Sequence, residues 1–297
     1  MKSNILFIIN PIAGGRDKQR IPALIDSYLT AGAFAPVYVF TDYAGHAAEL
    51  VDEAAQAIYD TIVAVGGDGT VNEIAGKLVG SAIRFGIIPL GSGNGLARTL
   101  GIPLHIKGAV NVINQQQTLR IDGALLNQRY FFNVAGLGFD ARISAAFAGH
   151  KKRGLMGYAL TGLRTFRSYE AQNYRIYIDD QPFEARAFIL SIANSSQYGN
   201  NVFISPLSLL NDGLLEVCII RPVPFLQIPT FIWSMWRSKK RPSTWVDIYS
   251  GKKIRIERPG EDAVHLDGEP LLMGKTIDIE IVPAALTVLH GGGREER

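Results

Sequence analysis

Cysteine is all but absent: Cys218 is the single one in 297 residues. No internal disulfide can form, which excludes a secreted disulfide scaffold and suits a reducing compartment. The five histidines, His46, His105, His150, His265 and His290, are too scattered for a zinc motif, and one thiol makes no thiolate cluster. There is no uncharged apolar run of about 18 residues, so no spanning helix is expected. At the start, only Ile5–Ile9 precede Asn10-Pro11, too few for a signal-peptide core and better read as a buried first strand. Charged residues are few, 19% against 47% hydrophobic, which excludes a disordered chain. A chain this long buries about three quarters of its unfolded surface and needs no staple. A soluble, cytoplasmic protein is expected.

The net charge of +3 is unevenly spread. Residues 1–120 carry nine basic and nine acidic side chains. Residues 141–169 carry six Lys/Arg and no acid, and residues 221–258 carry nine against Asp247 and Glu257. Such a surface suits nucleic acid, anionic lipid or a phosphorylated substrate, and charge alone does not choose.

The chain reads as two halves. In the first, Ile5–Ile9, Val37–Phe40, Ile62–Val65 and Phe85–Ile88 have the composition of buried parallel strands. Between them Ala47, Leu50, Val51, Ala54 and Ile58, and then Val71, Ile74, Ala75, Leu78 and Val79, recur at helical spacing. Strand–helix alternation predicts an α/β layer with a mainly parallel sheet. In the second half, residues 174–178, 187–192, 214–220, 245–249, 253–257, 263–266 and 276–282 read as strands. Turn signals such as Asp179-Asp180 and Asp267-Gly268 separate them. A β-rich sandwich or open barrel follows, with helices near Ala141–Ala148, Leu155–Phe166 and Phe225–Arg237. The expected domains are 1–122 and 123–297, with the last residues free to pack back on the first.

Three polar, Gly-rich turns follow strands of the first half: Asn10–Gly15, Gly66–Glu73 and Pro89–Asn94. Glycine lets backbone approach a phosphate, helix N-termini suit anions, and ligands of parallel sheets gather at the carboxyl ends of strands. Neither G-x-x-x-x-G-K-[ST] nor G-x-G-x-x-G occurs, and each turn alone could be an ordinary tight turn. Asp68 beside such a loop would repel a phosphate unless a cation bridges them.

Gly66–Glu73 reads GGDGTVNE; with NPIAGG before it and PLGSGN after it, the set resembles the diacylglycerol kinase catalytic-domain family. That family includes bacterial soluble lipid kinases and sphingosine and ceramide kinases. Residues 136–140, 211–215 and 266–270 extend the resemblance over nearly the whole chain, although GGDGT alone is shared with NAD kinases and phosphofructokinases. The resemblance implies an NAD kinase- and phosphofructokinase-like nucleotide domain, a β-rich lipid-side domain and ATP in the cleft between them. It implies nucleotide contacts by Asn10, Thr41, Gly66, Gly67, Asp68, Gly69, Thr70, Asn72, Ser92 and Asn94. From the residues alone, Thr41 reads first as a strand-end hydroxyl capping the helix from about Gly45, and only the resemblance makes it a nucleotide contact.

Residues 265–269, His-Leu-Asp-Gly-Glu, read from their composition as a hairpin turn. The resemblance makes Asp267 the expected general base, with Glu269 its partner, coordinating Mg²⁺ or orienting the turn, and the two roles open to exchange. Asp68 is the other candidate base, or a metal or phosphate partner. Leu209, Asp212 and Leu214 match the spacing at which bacterial relatives place a structural Mg²⁺. Asp140 matches a position where sphingosine kinases hold the lipid's polar head and is expected to contact lipid. Gly95 stands where diacylglycerol-type relatives carry an acid after the Asn, which leaves diacylglycerol-like and sphingoid acceptors both open. Phe225–Arg241, with Phe231, Trp233, Trp236, Arg237, Lys239, Lys240 and Arg241, reads either as a core helix with a basic tail or as an interfacial patch on anionic membrane. Residues 150–153, His-Lys-Lys-Arg, could act similarly.

The expected protein is an ATP- and Mg²⁺-dependent lipid kinase with peripheral membrane contact and no nucleic-acid partner; a homodimer is left open. The alternatives are an NAD-kinase-like phosphotransferase on a soluble acceptor and a non-catalytic lipid sensor.

Overall fold

The computed structural model describes residues 2–15, 20–54, 58–148, 169–237 and 244–292. The chain divides into two units, Met1–Asp122 with Pro283–Arg297, and Gly123–Val282.

In the first unit, β1 (Ser3–Ile9) pairs in parallel with β2 (Phe34–Phe40) and β3 (Thr61–Gly66), and β3 with β4 (Arg84–Pro89). The order β2-β1-β3-β4 sends successive crossovers to opposite sides of β1. Such a reversal opens a ligand crevice at the carboxyl ends of the strands it separates, here β1 and β3. The strand interiors Ile5–Ile9 and Ile62–Val65 are wholly buried, as strands covered on both faces must be. Helices α1 (Ile21–Asp26), α2 (His46–Ala54), α3 (Asp68–Leu78), α4 (Gly95–Thr99) and α5 (Ile106–Gln115) lie between or after the strands. The end of the long last strand returns to this unit, Thr287 and Val288 pairing in parallel with Arg84 and Phe85.

Two expectations fail locally. β2 is the edge strand, so Val37 and Phe40 are 42% and 37% exposed where a fully buried strand was predicted. Ile58 does not extend the apolar face of α2: it stands outside any helix and is 85% exposed.

The second unit is an antiparallel sandwich. Its strands are β5 (Thr118–Leu126, whose last residues belong here), β6 (Arg129–Phe131), β7 (Val134–Gly138), β8 (Gln172–Ile178), β9 (Gln181–Ala187) and β10 (Ile189–Ala193). They continue with β11 (Gln197–Gly199), β12 (Val202–Phe203), β13 (Leu215–Ile220), β14 (Val246–Gly251), β15 (Lys253–Glu257), β16 (Asp262–Leu266), β17 (Glu269–Met273) and β18 (Thr276–Leu289). One sheet runs β14-β13-β10-β7-β16-β17. The other joins the first part of β18 to β15, β8 and β9, with the β5–β6 hairpin beside it. Leu137, Leu190, Val217 and Val264 of the first sheet share one core with Ile176, Ile254, Ile277 and Ile279 of the second. Alternation along each strand supplies one apolar face per sheet, and the two faces bury each other. On the outer side of the six-stranded sheet, Cys218, Ile220 and Ile204 pack with Phe231 and Met235 of the helix Ile228–Arg237. Helix α6 (Phe139–Ala148) follows β7 directly. The helix expected at Leu155–Phe166 lies outside the described residues.

Candidate functional site

The three Gly-rich turns follow β1, β3 and β4, and hydrogen bonds knit them together. Asn10 Nδ2 donates to Thr70 Oγ1 at 3.0 Å while Asn10 Oδ1 accepts the Ile12 amide, joining the first turn to the second. Asp68, in the first turn of α3, accepts the Asn94 amide on Oδ2 at 2.8 Å and the Gly95 amide on Oδ1 at 2.9 Å, joining the second turn to the third. Asn94 sits at φ 52°, in the left-handed region, and its side chain closes the turn by accepting from the Gly91 amide and donating to the Gly91 carbonyl. Gly91 has to be glycine: a Cβ there would stand 2.7 Å from Gly67 Cα. Arg98 Nε donates to the Gly93 carbonyl at 3.0 Å, and Glu73 accepts the Gly45 amide at 3.0 Å from the turn after β2. Thr41 is buried at the end of β2; Gly66 and Thr70 are buried; Gly67, Asp68, Gly69, Asn72 and Asn10 are partly exposed; Ser92 is exposed.

Asp68 was expected as a base, or as a metal or phosphate partner. In the structure both its oxygens serve the backbone of the third turn, capping the short helix α4, whose own N-cap residue Asn94 makes no side-chain cap. Two amides that would otherwise lack acceptors are satisfied this way.

In the second unit, Asp267 and Gly268 form the two-residue turn between β16 and β17, with φ of 50° and 92°. Two positive φ values identify the hairpin type that favours Asp-Gly. Asp267 turns back on the chain: Oδ1 accepts the amides of Asn133 at 2.9 Å and Val134 at 3.0 Å, and Oδ2 accepts that of Phe132 at 3.0 Å. An ionised carboxylate offers about four lone-pair sites, and at least three are taken. The segment that donates is itself held, since the Asn194 and Ser195 amides both donate to the Asn133 carbonyl. Glu269, two residues on, is exposed at the start of β17, where its backbone pairs with Leu266, and its side chain carries no hydrogen bond or ion pair among the described residues. Of the two carboxylates in the turn, Glu269 is the available one.

Asp140 does not face outward as a head-group reader would. It is 9% exposed, and its oxygens are engaged by the Ala141 amide at 2.8 Å, Tyr198 Oη at 3.0 Å and His265 Nε2 at 3.1 Å. Burial and the neighbouring Asp140 charge push the Tyr198 phenol well above its ordinary pKa, so it remains a donor.

In the loop expected to hold Mg²⁺, Asp212 Oδ1 accepts the Leu214 amide at 3.1 Å, and Gly213 takes φ 71°. Asp212 is exposed, with Leu209 and Leu214 partly exposed. Below them Glu216 is 8% exposed and accepts from Ser208 Oγ at 2.6 Å. Burial first, then the charge of Asp212, raises its pKa to about 7. Oxygen donors beside a pair of mutually repelling carboxylates fit a hard cation, although the described residues contain no cluster of three metal-ligating side chains.

The aromatic–basic segment shows both faces of its sequence reading. Phe231 and Met235 are buried in the core, while Trp233 is 57% and Leu226 88% exposed. Lys239, Lys240, Arg241 and residues 150–153 lie outside the described residues, as do the side chains of Trp236 and Arg237.

Residues 4–126 match the family described as diacylglycerol kinase catalytic domain, and residues 133–290 match the YegS C-terminal NAD kinase beta sandwich-like domain. The chain is 34% identical over 247 residues to "Probable lipid kinase YegS-like" of Klebsiella pneumoniae (strain 342), covering 82% of each. It is 31% identical over 255 residues to the protein of that name in Yersinia pestis (strain Pestoides F), again covering 82% of each. The fold is that of a solved diacylglycerol kinase from Bacillus anthracis str. Sterne, with TM-score 0.73, 24% identity and 97% of both chains covered. A second structure from that organism gives TM-score 0.77 at 25% identity over the same share.

Two predictions arise from these contacts. Asp68→Asn keeps one acceptor and turns an NH₂ toward the other amide. It should lower unfolding stability by about 1–3 kcal/mol, read as a lower denaturant midpoint. Unchanged denaturant midpoint with lost turnover would give Asp68 a purely chemical role. Glu216 binds its proton more tightly folded than unfolded, so its contribution to stability should be fully present below its unfolded pKa and be lost as pH rises through about 7. The loss should amount to about 3 kcal/mol at pH 8. In the presence of a chelator, urea titrations should show that slope in wild type and its loss in Glu216→Gln; equal slopes would contradict the buried-carboxyl account.

Proposed function

The chain belongs to the diacylglycerol kinase catalytic-domain family of lipid kinases, and from that premise we propose that it transfers the γ-phosphoryl group of ATP to the hydroxyl of a membrane lipid. Diacylglycerol-like and sphingoid acceptors both fit. The observation that carries the reading is the contrast between the acids of the Gly66–Glu73 turn and the β16–β17 hairpin: Asp68 and Asp267 are committed to backbone amides, and the Glu269 carboxylate is not. The backbone amides of the three Gly-rich turns, shaped by Asn10, Thr70 and Asn94, together with the side chains of Asn72 and exposed Ser92, suit a polyphosphate, which needs many donors and few bulky side chains.

Phosphoryl transfer needs positioning, charge neutralisation and a group to receive the acceptor's proton. In this reading Glu269 takes the hydroxyl proton as the new O–P bond forms and the bond to the β-phosphate oxygen breaks, releasing ADP. Asp267, first expected as the base, holds the turn. Mg²⁺ bound with the nucleotide would neutralise developing phosphate charge. A second, structural ion would rest on Asp212 and the Leu209 and Leu214 carbonyl oxygens. For the acceptor's source we propose peripheral contact with an anionic membrane through exposed Trp233 and Leu226, next in sequence to Arg237, Lys239, Lys240 and Arg241.

With labelled ATP and a panel of diacylglycerol, sphingoid, NAD and sugar-phosphate acceptors, product should form on a lipid. In that assay Glu269→Gln should lower kcat by ~10²–10⁴-fold with ATP affinity kept. Asp267→Asn should lower stability as well as activity. Phosphorylation of NAD alone, or a Glu269→Gln enzyme within a few-fold of wild type, would overturn the reading.

A further inference from the structure

A single row crosses four strands of the six-stranded sheet. In register stand Ser191 on β10, Gly136 on β7, His265 on β16 and Pro270 on β17. Gly136 leaves the middle of this row open: a Cβ there would lie 2.2 Å from His265 Nε2 and 2.3 Å from Asp140 Oδ2. Into that space Asp140 reaches from the first turn of α6, and Tyr198 reaches from β11. The Tyr198 hydroxyl bonds both Ser191 Oγ and Asp140 Oδ2. His265 Nε2 meets the same Asp140 oxygen at 3.1 Å, with His265 4% exposed.

The other ring nitrogen faces the turn. His265 Nδ1 accepts the Gly268 amide at 3.4 Å, so the ring proton sits on Nε2 and is donated to Asp140. The buried chain Ser191–Tyr198–Asp140–His265 therefore ends on the one backbone amide that lies between Asp267 and Glu269. Asp267 fixes the near side of the turn to Phe132–Val134. The imidazole fixes the far side, next to Glu269.

We propose that His265 is a positioning residue for Glu269: oriented by Asp140 and Tyr198, it tethers the Gly268 amide and so sets where the Glu269 carboxylate stands. The inference rests on the reading of Glu269 as the group that receives the acceptor's proton. A tether of this kind acts on the chemical step and not on nucleotide affinity. Second-layer groups that fix a reacting side chain commonly matter at this level.

Two near-isosteric substitutions in the full chain separate the two ends of the imidazole. His265→Gln places its amide where Nε2 was, keeping the Asp140 bond and releasing Gly268. His265→Asn places an oxygen where Nδ1 was, keeping the tether. His265→Gln should lower kcat by roughly 10- to 100-fold with the KM for ATP within about twofold, and His265→Asn should recover much of that loss. Adding His265→Gln to Glu269→Gln should cost nothing further, because the group being positioned is gone. If Glu269→Gln is impaired while His265→Gln keeps wild-type kcat, the positioning inference fails and the function reading stands. If Glu269→Gln itself is near wild type, the function reading fails first. Equal losses in both His265 variants, tracking equal drops in Tm, would make the residue structural only and also overturn the proposal. Should His265→Gln not fold, Asp140→Asn, which removes one acceptor from the ring, must show the same loss in kcat at constant KM or the proposal falls.

Discussion

A backbone amide in a tight turn has no neighbour in a helix or sheet, and left without an acceptor it costs about 1–3 kcal/mol. The turns of this protein that matter most solve that problem with carboxylates brought from elsewhere in the chain. Asp68 reaches 26 and 27 residues ahead to the amides of Asn94 and Gly95. Asp267 reaches back to three consecutive amides at Phe132–Val134. Each clamp does what a capping side chain does locally, but between separate turns, so the shape of each loop depends on a contact distant in sequence.

The clamps also sort the acids by availability. A carboxylate that already receives two or three N–H donors has few lone pairs left for a substrate's proton and is held in one orientation by the turn it serves. Glu269 has no such commitment, and the two-residue hairpin that presents it is held on both sides. The sandwich supplies the rigidity: β7, β10 and β16 are central strands, and Gly136, their shared row member, leaves room for the His265–Asp140–Tyr198 chain behind the hairpin. In the first unit the parallel sheet does the corresponding work, bringing the ends of β1, β3 and β4 side by side so that three short loops can share hydrogen bonds.

Most of the architecture was legible because it is written in local pattern. Apolar runs such as Ile62–Val65, glycine-rich turns after them and alternating strands later in the chain each declare themselves within ten residues. Sheet position was not legible: Val37 and Phe40 look as buried as Ile62 does, and only the strand order places them at an edge. The roles of the acids were hidden for a similar reason. Asp267 and Glu269 are both carboxylates on one turn, and what distinguishes them is a partner more than 130 residues away. Asp140 was expected to contact lipid only through the family resemblance; its burial depends on Gly136 and on Tyr198, which no spacing rule connects to it. His265 was read only against a metal pattern and set aside. The signal that could have found it is the alternation of β16: Val264 and Leu266 take the face toward the other sheet, so His265 falls on the opposite face, where a buried polar residue needs partners.

The central claim is that Asp267 serves the backbone of Phe132–Val134 while Glu269 serves the reaction. Native-state hydrogen exchange tests it directly, on the amides of Phe132, Asn133 and Val134 in wild type, Asp267→Asn and Glu269→Gln. Exchange at those three positions should speed up by an order of magnitude or more in Asp267→Asn and remain as in wild type in Glu269→Gln. Unchanged protection in Asp267→Asn, or protection lost in Glu269→Gln instead, would contradict the account.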